Sequence, residues 1–217
     1  MSKNVILIIL LTVLILSACS PDDIAFDKLP FIKEQEILFT DDFSDPRSGW
    51  ATGESDTILK KYSPEGFWLI INSENTKAWS VPGMNFSDVQ VEVTARKVTG
   101  SDNNAIGLFC RYQDASNHYR FVISSDGYYG ISKTVNGIEE ILGSNAMDYS
   151  FDINQGDREN RISAECTGSQ LKLSVNDIQL MTVEDESLTY GDAGIMAENR
   201  EGVNLAVLFN DFLITKR

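Results

Sequence analysis

The sequence predicts an all-β fold, an antiparallel sandwich or barrel. Apolar residues recur with period two from Ile37 onward. Turn-forming pairs cut these runs every ~8–12 residues, the rhythm of short strands in sandwiches and barrels. Residues 37–217 show no spacing of the kind an amphipathic helix needs. A chain of 217 residues, 42% of them hydrophobic, can bury one core of this type.

The first element is a targeting segment over residues 1–18. Lys3 lies in a short polar start, Val5 to Leu16 is nearly all Ile, Leu and Val, and small residues follow. The apolar run is short of the ~20 residues that span a membrane. The exit, Leu16-Ser17-Ala18-Cys19, resembles the lipobox of bacterial lipoproteins at every position. That resemblance implies cleavage before Cys19, a diacylglycerol on its thiol and acylation of the new amine. More than one acyl chain anchors stably where a single chain does not. The membrane is then a partner through the lipid, and the expected location is the cell envelope outside the cytoplasmic membrane. Ser20 rather than Asp follows Cys19, which by the same resemblance favours the outer membrane in a Gram-negative cell. Residues 19–36 read as the lipidated Cys and a flexible tether, with Pro21, Pro30 and no apolar period.

Residues 37–217 form the domain, with about a dozen expected strands. Phe67, Leu69 and Ile71 line one face of the first clear strand. Val89, Val91, Val93 and Ala95 alternate with Gln90, Glu92, Thr94 and Arg96. Tyr119, Phe121 and Ile123 alternate with His118, Arg120, Val122 and Ser124. Leu171, Leu173 and Val175 continue the pattern, as do Val203, Leu205, Val207 and Phe209. Asp126-Gly127, Asn136-Gly137 and Asn176-Asp177 supply positive φ for tight hairpins, and Asp114 to Asn117 is a polar loop. At Asn210-Asp211 the apolar phase slips, which calls for a bulge. Cys110 and Cys166 both fall on the apolar parity of their strands. With Cys19 consumed by lipid in an oxidising compartment, they are expected to pair as a disulfide.

The order of these motifs is familiar. Asp42-Phe43-Ser44-Asp45 with Gly49-Trp50 opens the domain. Gly107 to Tyr112, Asn117 to Phe121, Leu173 to Asp177, Tyr190 to Ile195 and Phe209 to Phe212 follow. This resembles the concanavalin A-like lectin/glucanase jelly roll, especially its laminin G-like and 3-keto-disaccharide hydrolase-like branches. The resemblance implies two curved antiparallel sheets and a face that binds glycans in many members; fold alone assigns no function. It also allows a structural calcium held by Asp42 and Asp211, on terminal strands that lie adjacent in related jelly rolls. No other cofactor is expected.

Composition and motifs exclude several chemistries. A formal net charge of −14 opposes nucleic-acid binding, and a single His excludes multi-His zinc sites. No Glu-x-Asp-x-x-Glu glycanase motif and no Gly-x-Ser-x-Gly elbow occurs. Glu184-Asp185-Glu186 reads as a solvated strand end. If Leu108, Cys110 and Tyr112 face the core with Tyr119 and Phe121, then Phe109, Arg111, His118 and Arg120 share the opposite face. Those four side chains are the candidate ligand site, suited to a neutral or sparsely charged glycan. Trp50, Trp68, Trp79, Tyr128 and Tyr129 are further aromatic candidates. The expected function is a surface-anchored, non-catalytic module for a glycan or envelope component. The alternatives are an envelope structural or protein-interaction lipoprotein and a hydrolase of sugar derivatives.

Overall fold

The computed structural model describes residues 35–217; the expected signal peptide, Cys19 and tether residues 20–34 lie outside them. The chain folds as strands β1 (Ile37–Asp41), β2 (Gly53–Glu54), β3 (Ile58–Ser63), β4 (Gly66–Ile71), β5 (Thr76–Ser80), β6 (Val89–Thr99), β7 (Asn104–Asp114) and β8 (Asn117–Ile123). They are followed by β9 (Tyr128–Val135), β10 (Ile138–Leu142), β11 (Asp148–Tyr149), β12 (Asn160–Thr167), β13 (Gln170–Val175), β14 (Ile178–Glu184), β15 (Asp192–Asn199) and β16 (Leu205–Lys216). No helix occurs among the described residues.

Two antiparallel sheets result. The nine-stranded sheet runs β14-β13-β12-β6-β16-β4-β3-β2, with β1 also beside β16. The seven-stranded sheet runs β10-β9-β8-β7-β15-β5, with β11 also beside β9. This is the two-sheet jelly-roll sandwich. Alternation produces the core: Val91 and Val93 of β6, Ile162 and Ala164 of β12, and Val207 and Phe209 of β16 meet Leu108 of β7, Phe121 of β8 and Ile195 of β15. Each of the Val, Leu, Ile and Phe side chains removed from water stabilises by about 1.5–3 kcal/mol before entropy is charged against it. The disulfide Cys110–Cys166 joins β7 to β12 and therefore one sheet to the other, with Cα atoms 6.8 Å apart.

The turns follow their residue chemistry. Asn136 and Gly137 both take positive φ between β9 and β10, and Asn176 and Asp177 do so between β13 and β14. In β16 the register shifts between Asn210 and Leu213 against β6, and Asp211 has φ 52°. That bulge returns Phe212 and Ile214 to the core. It also lets β16 pair with β4 through Leu205–Phe209 and with β1 through Phe212–Thr215.

A second bulge was not expected. Tyr112 pairs with Asp192 and Phe109 with Gly194, so Cys110 and Arg111 together oppose Ala193. Arg111 has φ 52°, a conformation uncommon outside Gly, Asn and Asp. The extra residue reverses the alternation, so Arg111 and Tyr112 exchange faces. This corrects the expectation for both. Arg111 turns from the outer face and is only 2% exposed. Its Nε donates to Ser87 O at 3.1 Å, one terminal nitrogen to Leu188 O at 2.8 Å and the other to the Asp88 carboxylate at 3.2 Å. Tyr112 turns outward.

Candidate functional site

On the side of the seven-stranded sheet away from the core, Phe109, Val122, Met196 and Ala105 form a second, small apolar cluster. Trp79 and Tyr112 pack against it. Register explains the convergence: Trp79 is opposite Met196, Met196 opposite Gly107, and Phe109 opposite Arg120. Gly107 is required there, because a Cβ would approach Phe121 O to 1.9 Å.

The face is concave, as one ion pair shows. Lys77 lies on β5 and Glu139 on β10, the two edges of the sheet. Five inter-strand spacings would separate them by about 24 Å in a flat sheet. Their side chains nevertheless meet at 2.9 Å.

A pocket of about 200 Å³ lies in this concavity, lined by Trp79, Phe109, Tyr112, His118, Arg120 and Met196, with Lys77, Thr134 and Glu139 at its polar side. It is smaller than the ~300–1,000 Å³ that encloses a drug-sized ligand, and suits one ring or a short segment. Two turns complete the rim through Ala115 and Gly137, which Gly137 N→Ser116 O ties together at 3.0 Å.

The aromatic wall is mutually braced. Phe109 contacts Tyr112 and His118 with ring centroids 5.0 and 4.8 Å apart, and Tyr112 stacks on His118 at 5.7 Å. Trp79 Nε1 donates to the Tyr112 hydroxyl at 3.0 Å. The Tyr112 proton is therefore free to be donated elsewhere, and burial raises the phenol's pKa, keeping that proton in place. His118 Nδ1 lies 3.0 Å from Asp114 O, a contact only an N–H can satisfy. Burial, with Arg120 and Lys77 nearby, holds the imidazole below its ordinary pKa. The ring is neutral at pH 7, and its Nε2 is an acceptor.

Arg120 does not offer a free guanidinium. Its Nε donates to Ser132 Oγ at 3.2 Å, one terminal nitrogen to Glu198 at 3.4 Å and the other to Glu139. Lys77 also faces Glu198, at 3.9 Å, and Arg200 lies 3.5 Å from Glu198. Lys77, Glu139, Arg120, Glu198 and Arg200 thus form one charged bar across the concavity. Burial is the main cause that lowers the pKa of both Arg120 and Lys77.

Of the four expected ligand-site residues, Phe109, His118 and Arg120 line one pocket and Arg111 does not. Lys77, Trp79, Tyr112, Thr134, Glu139 and Met196 complete it. Trp79 stands among the aromatic candidates of the sequence; no local motif marks the others. Among the remaining aromatics, Trp50 is core and donates Nε1 to Asp41 at 2.8 Å, and Trp68 lies on the other sheet with Nε1 on Ser63 Oγ at 3.0 Å. Tyr129 packs against the main core. Tyr128 is exposed and forms an edge-to-face series with Tyr149 and Phe151 beyond the charged bar.

Asp42 and Asp211 do line a common pocket, with Asp41, Glu92 and Arg161. The Asp41 oxygens are occupied by Phe43 N at 2.7 Å and the Trp50 indole. Asp42 accepts from Ser44 N at 2.9 Å, and a guanidinium shares the space. Among the described residues no group of three or more His, Cys, Asp or Glu converges on a cation position. Calcium takes about 6–8 oxygens, and this donor set does not fit it. Asp185, expected to be solvated, instead accepts from the Tyr119 hydroxyl and from Lys133 Nζ, both at 2.6 Å.

The chain is thus an all-β, two-sheet jelly-roll sandwich with a pocket in its concave face. Solved structures agree. The carbohydrate-binding module CBM66 of Bacillus subtilis superposes with a TM-score of 0.62 at 17% identity, over 78% of this chain and 96% of that one. A Bacillus subtilis protein of unknown function with a galectin-like fold gives 0.62 at 12% identity, over 85% and 97%. A Bacteroides ovatus mixed-linkage glucan GH16 protein, in complex with its product, gives 0.58 at 10% identity, over 82% and 100%. No protein-family model and no curated protein matches the sequence.

Proposed function

We propose that this protein is an envelope lipoprotein whose sandwich binds a neutral or sparsely charged glycan without cleaving it. The observation that carries the reading is the braced aromatic pocket of Trp79, Phe109, Tyr112 and His118. Beside those rings it presents a hydroxyl donor on Tyr112, an acceptor on His118 and the mixed donors and acceptors of Thr134 and Glu139. Sugars offer the matching surface: apolar ring faces edged by hydroxyls that both donate and accept. The cations are already matched by Glu139 and Glu198, and the chain carries a formal charge of −14, so a polyanion gains little. The structural likeness to a carbohydrate-binding module supports the same reading.

The likeness to a GH16 protein raises hydrolysis as an alternative, and the carboxylates beside the pocket disfavour it. A glycosidase needs one free carboxylic acid and a second carboxylate across the scissile bond. Glu139 is held by Arg120 and Lys77, and Glu198 by Arg120, Lys77 and Arg200. A glycan array read for both binding and cleavage tests the proposal. Retained, uncleaved glycan that is lost in Trp79→Ala supports it; cleavage, or binding unchanged by Trp79→Ala, overturns it. The anchor is tested separately, because Cys19 lies outside the described residues. Cys19→Ala should leave a precursor without radiolabelled acyl chains, and label on that variant would reject lipidation.

A further inference from the structure

From the charged bar we infer that the pocket receives the end of a glycan chain and not an internal stretch. The inference rests on the glycan-binding reading and adds which part of the ligand is recognised. An open groove along the sheet would let a polymer pass across. Here Lys77 and Glu139 reach from opposite edges and close a bridge at 2.9 Å. Arg120, Glu198 and Arg200 extend the bridge, and Arg120 is buried. Trp79, Phe109, Tyr112 and His118 lie on one side of this bar. Gly130, Ile141 and Met147 lie on the other, lining a separate small recess that shares only Arg120 and Glu139 with the pocket.

A chain crossing the bar would have to part Glu139 from both Arg120 and Lys77. That would leave the buried Arg120 guanidinium with Glu198 as its one carboxylate, a costly state, and a neutral sugar supplies no anion to replace Glu139. A terminal unit needs none of this. It can stack in the aromatic pocket with its hydroxyls on Tyr112, His118, Thr134 and the exposed edge of the bar, while the rest of the chain leaves toward solvent. The chemical class is therefore the terminal unit of a neutral glycan.

Calorimetry with linear gluco-, xylo- and manno-oligosaccharides, from disaccharide to hexasaccharide, and with cyclodextrins as end-free probes, tests this. In the series that binds, Kd per chain should change by less than about twofold with length, and cyclodextrins should not bind. The double variant Lys77→Gln, Glu139→Gln, checked for an unchanged melting transition, should acquire length dependence. If it does not fold, the length series on the parent protein still decides. A parent Kd that falls about tenfold or more with length overturns end recognition. So does cyclodextrin binding, or a length effect that disappears in Phe151→Ala, which would mean the chain passes onto Tyr128, Tyr149 and Phe151. Binding by no series, or binding indifferent to Trp79→Ala, overturns the glycan-pocket reading itself, and so separates the two failures.

Discussion

Trp79 and Tyr112 are joined by an indole-to-hydroxyl hydrogen bond of 3.0 Å, although they are 33 residues apart and β15 runs between their strands. The bond exists because the Arg111 bulge turns Tyr112 out of the core. It fixes two walls of the pocket and leaves the Tyr112 proton available. Tyr112→Phe removes that donor and the acceptor for Trp79 while keeping the ring. It should weaken saccharide binding about three- to tenfold, near the ~0.5–1.5 kcal/mol of one net hydrogen bond. Titration calorimetry on Tyr112→Phe reads this, and an affinity equal to the parent's would remove Tyr112 from the ligand contacts.

Arg111 should behave as a structural residue. Arg111→Ala strands the carbonyls of Ser87 and Leu188 and one partner of Asp88. The expected loss is about 1–3 kcal/mol for buried polar groups left unpaired. Urea unfolding measures it, with the affinity of the folded variant unchanged. A normal midpoint combined with weakened binding would reverse this assignment.

The Cys110–Cys166 bond closes a loop of 56 residues between the sheets. On the chain-entropy model it contributes about 4 kcal/mol by restricting the unfolded chain. A double Cys→Ala variant, or the reduced protein, should unfold at clearly lower urea concentration. Alkylation of the denatured, unreduced protein should modify neither thiol; uptake of two labels would disprove the bond.

Asp185 gives the protein an acid-sensitive joint. Burial pushes its pKa up, but hydrogen bonds from Lys133, Tyr119 and Ser187 outweigh burial and hold it well below the usual carboxylate range. Tyr119 moves the other way, to about 12, through burial and the same carboxylate. A depressed folded pKa contributes stability that is complete above the unfolded value, about 3.9, and is lost as pH falls toward the folded one. Asp185→Asn should be less stable than the parent at pH 7, and the gap should narrow between about pH 4 and pH 2. Parallel stability curves for the two proteins across that range would show that Asp185 is not the group concerned.

Much of the fold was legible because strand alternation and turn chemistry are local. Val89 to Ala95 announce a half-buried strand by spacing alone. Asn136-Gly137 and Asn176-Asp177 announce hairpins because they tolerate positive φ. The bulge at Asn210-Asp211 showed in the sequence for two reasons: Asp adopts that conformation readily, and core residues resume after it in the opposite phase. The bulge at Arg111 left neither sign. Arg seldom takes positive φ, and after Tyr112 the strand runs into Gln113 and Asp114, with no apolar residue to reveal the reversed phase.

The sequence by itself determined the hairpins, the disulfide parity and the strand faces away from the Arg111 bulge, since each depends on a residue and its near neighbours. It also brought Phe109, His118 and Arg120 to one face. Only the tertiary structure decided the pocket. Its walls come from β5, β7, β8, β9, β10 and β15, strands whose order and curvature no local pattern encodes. Curvature brings Lys77 to Glu139 from opposite edges, and a one-residue bulge exchanges Arg111 for Tyr112. Period-two alternation assigns a face only while the register holds, and side chains on distant strands meet only once the sheet has bent.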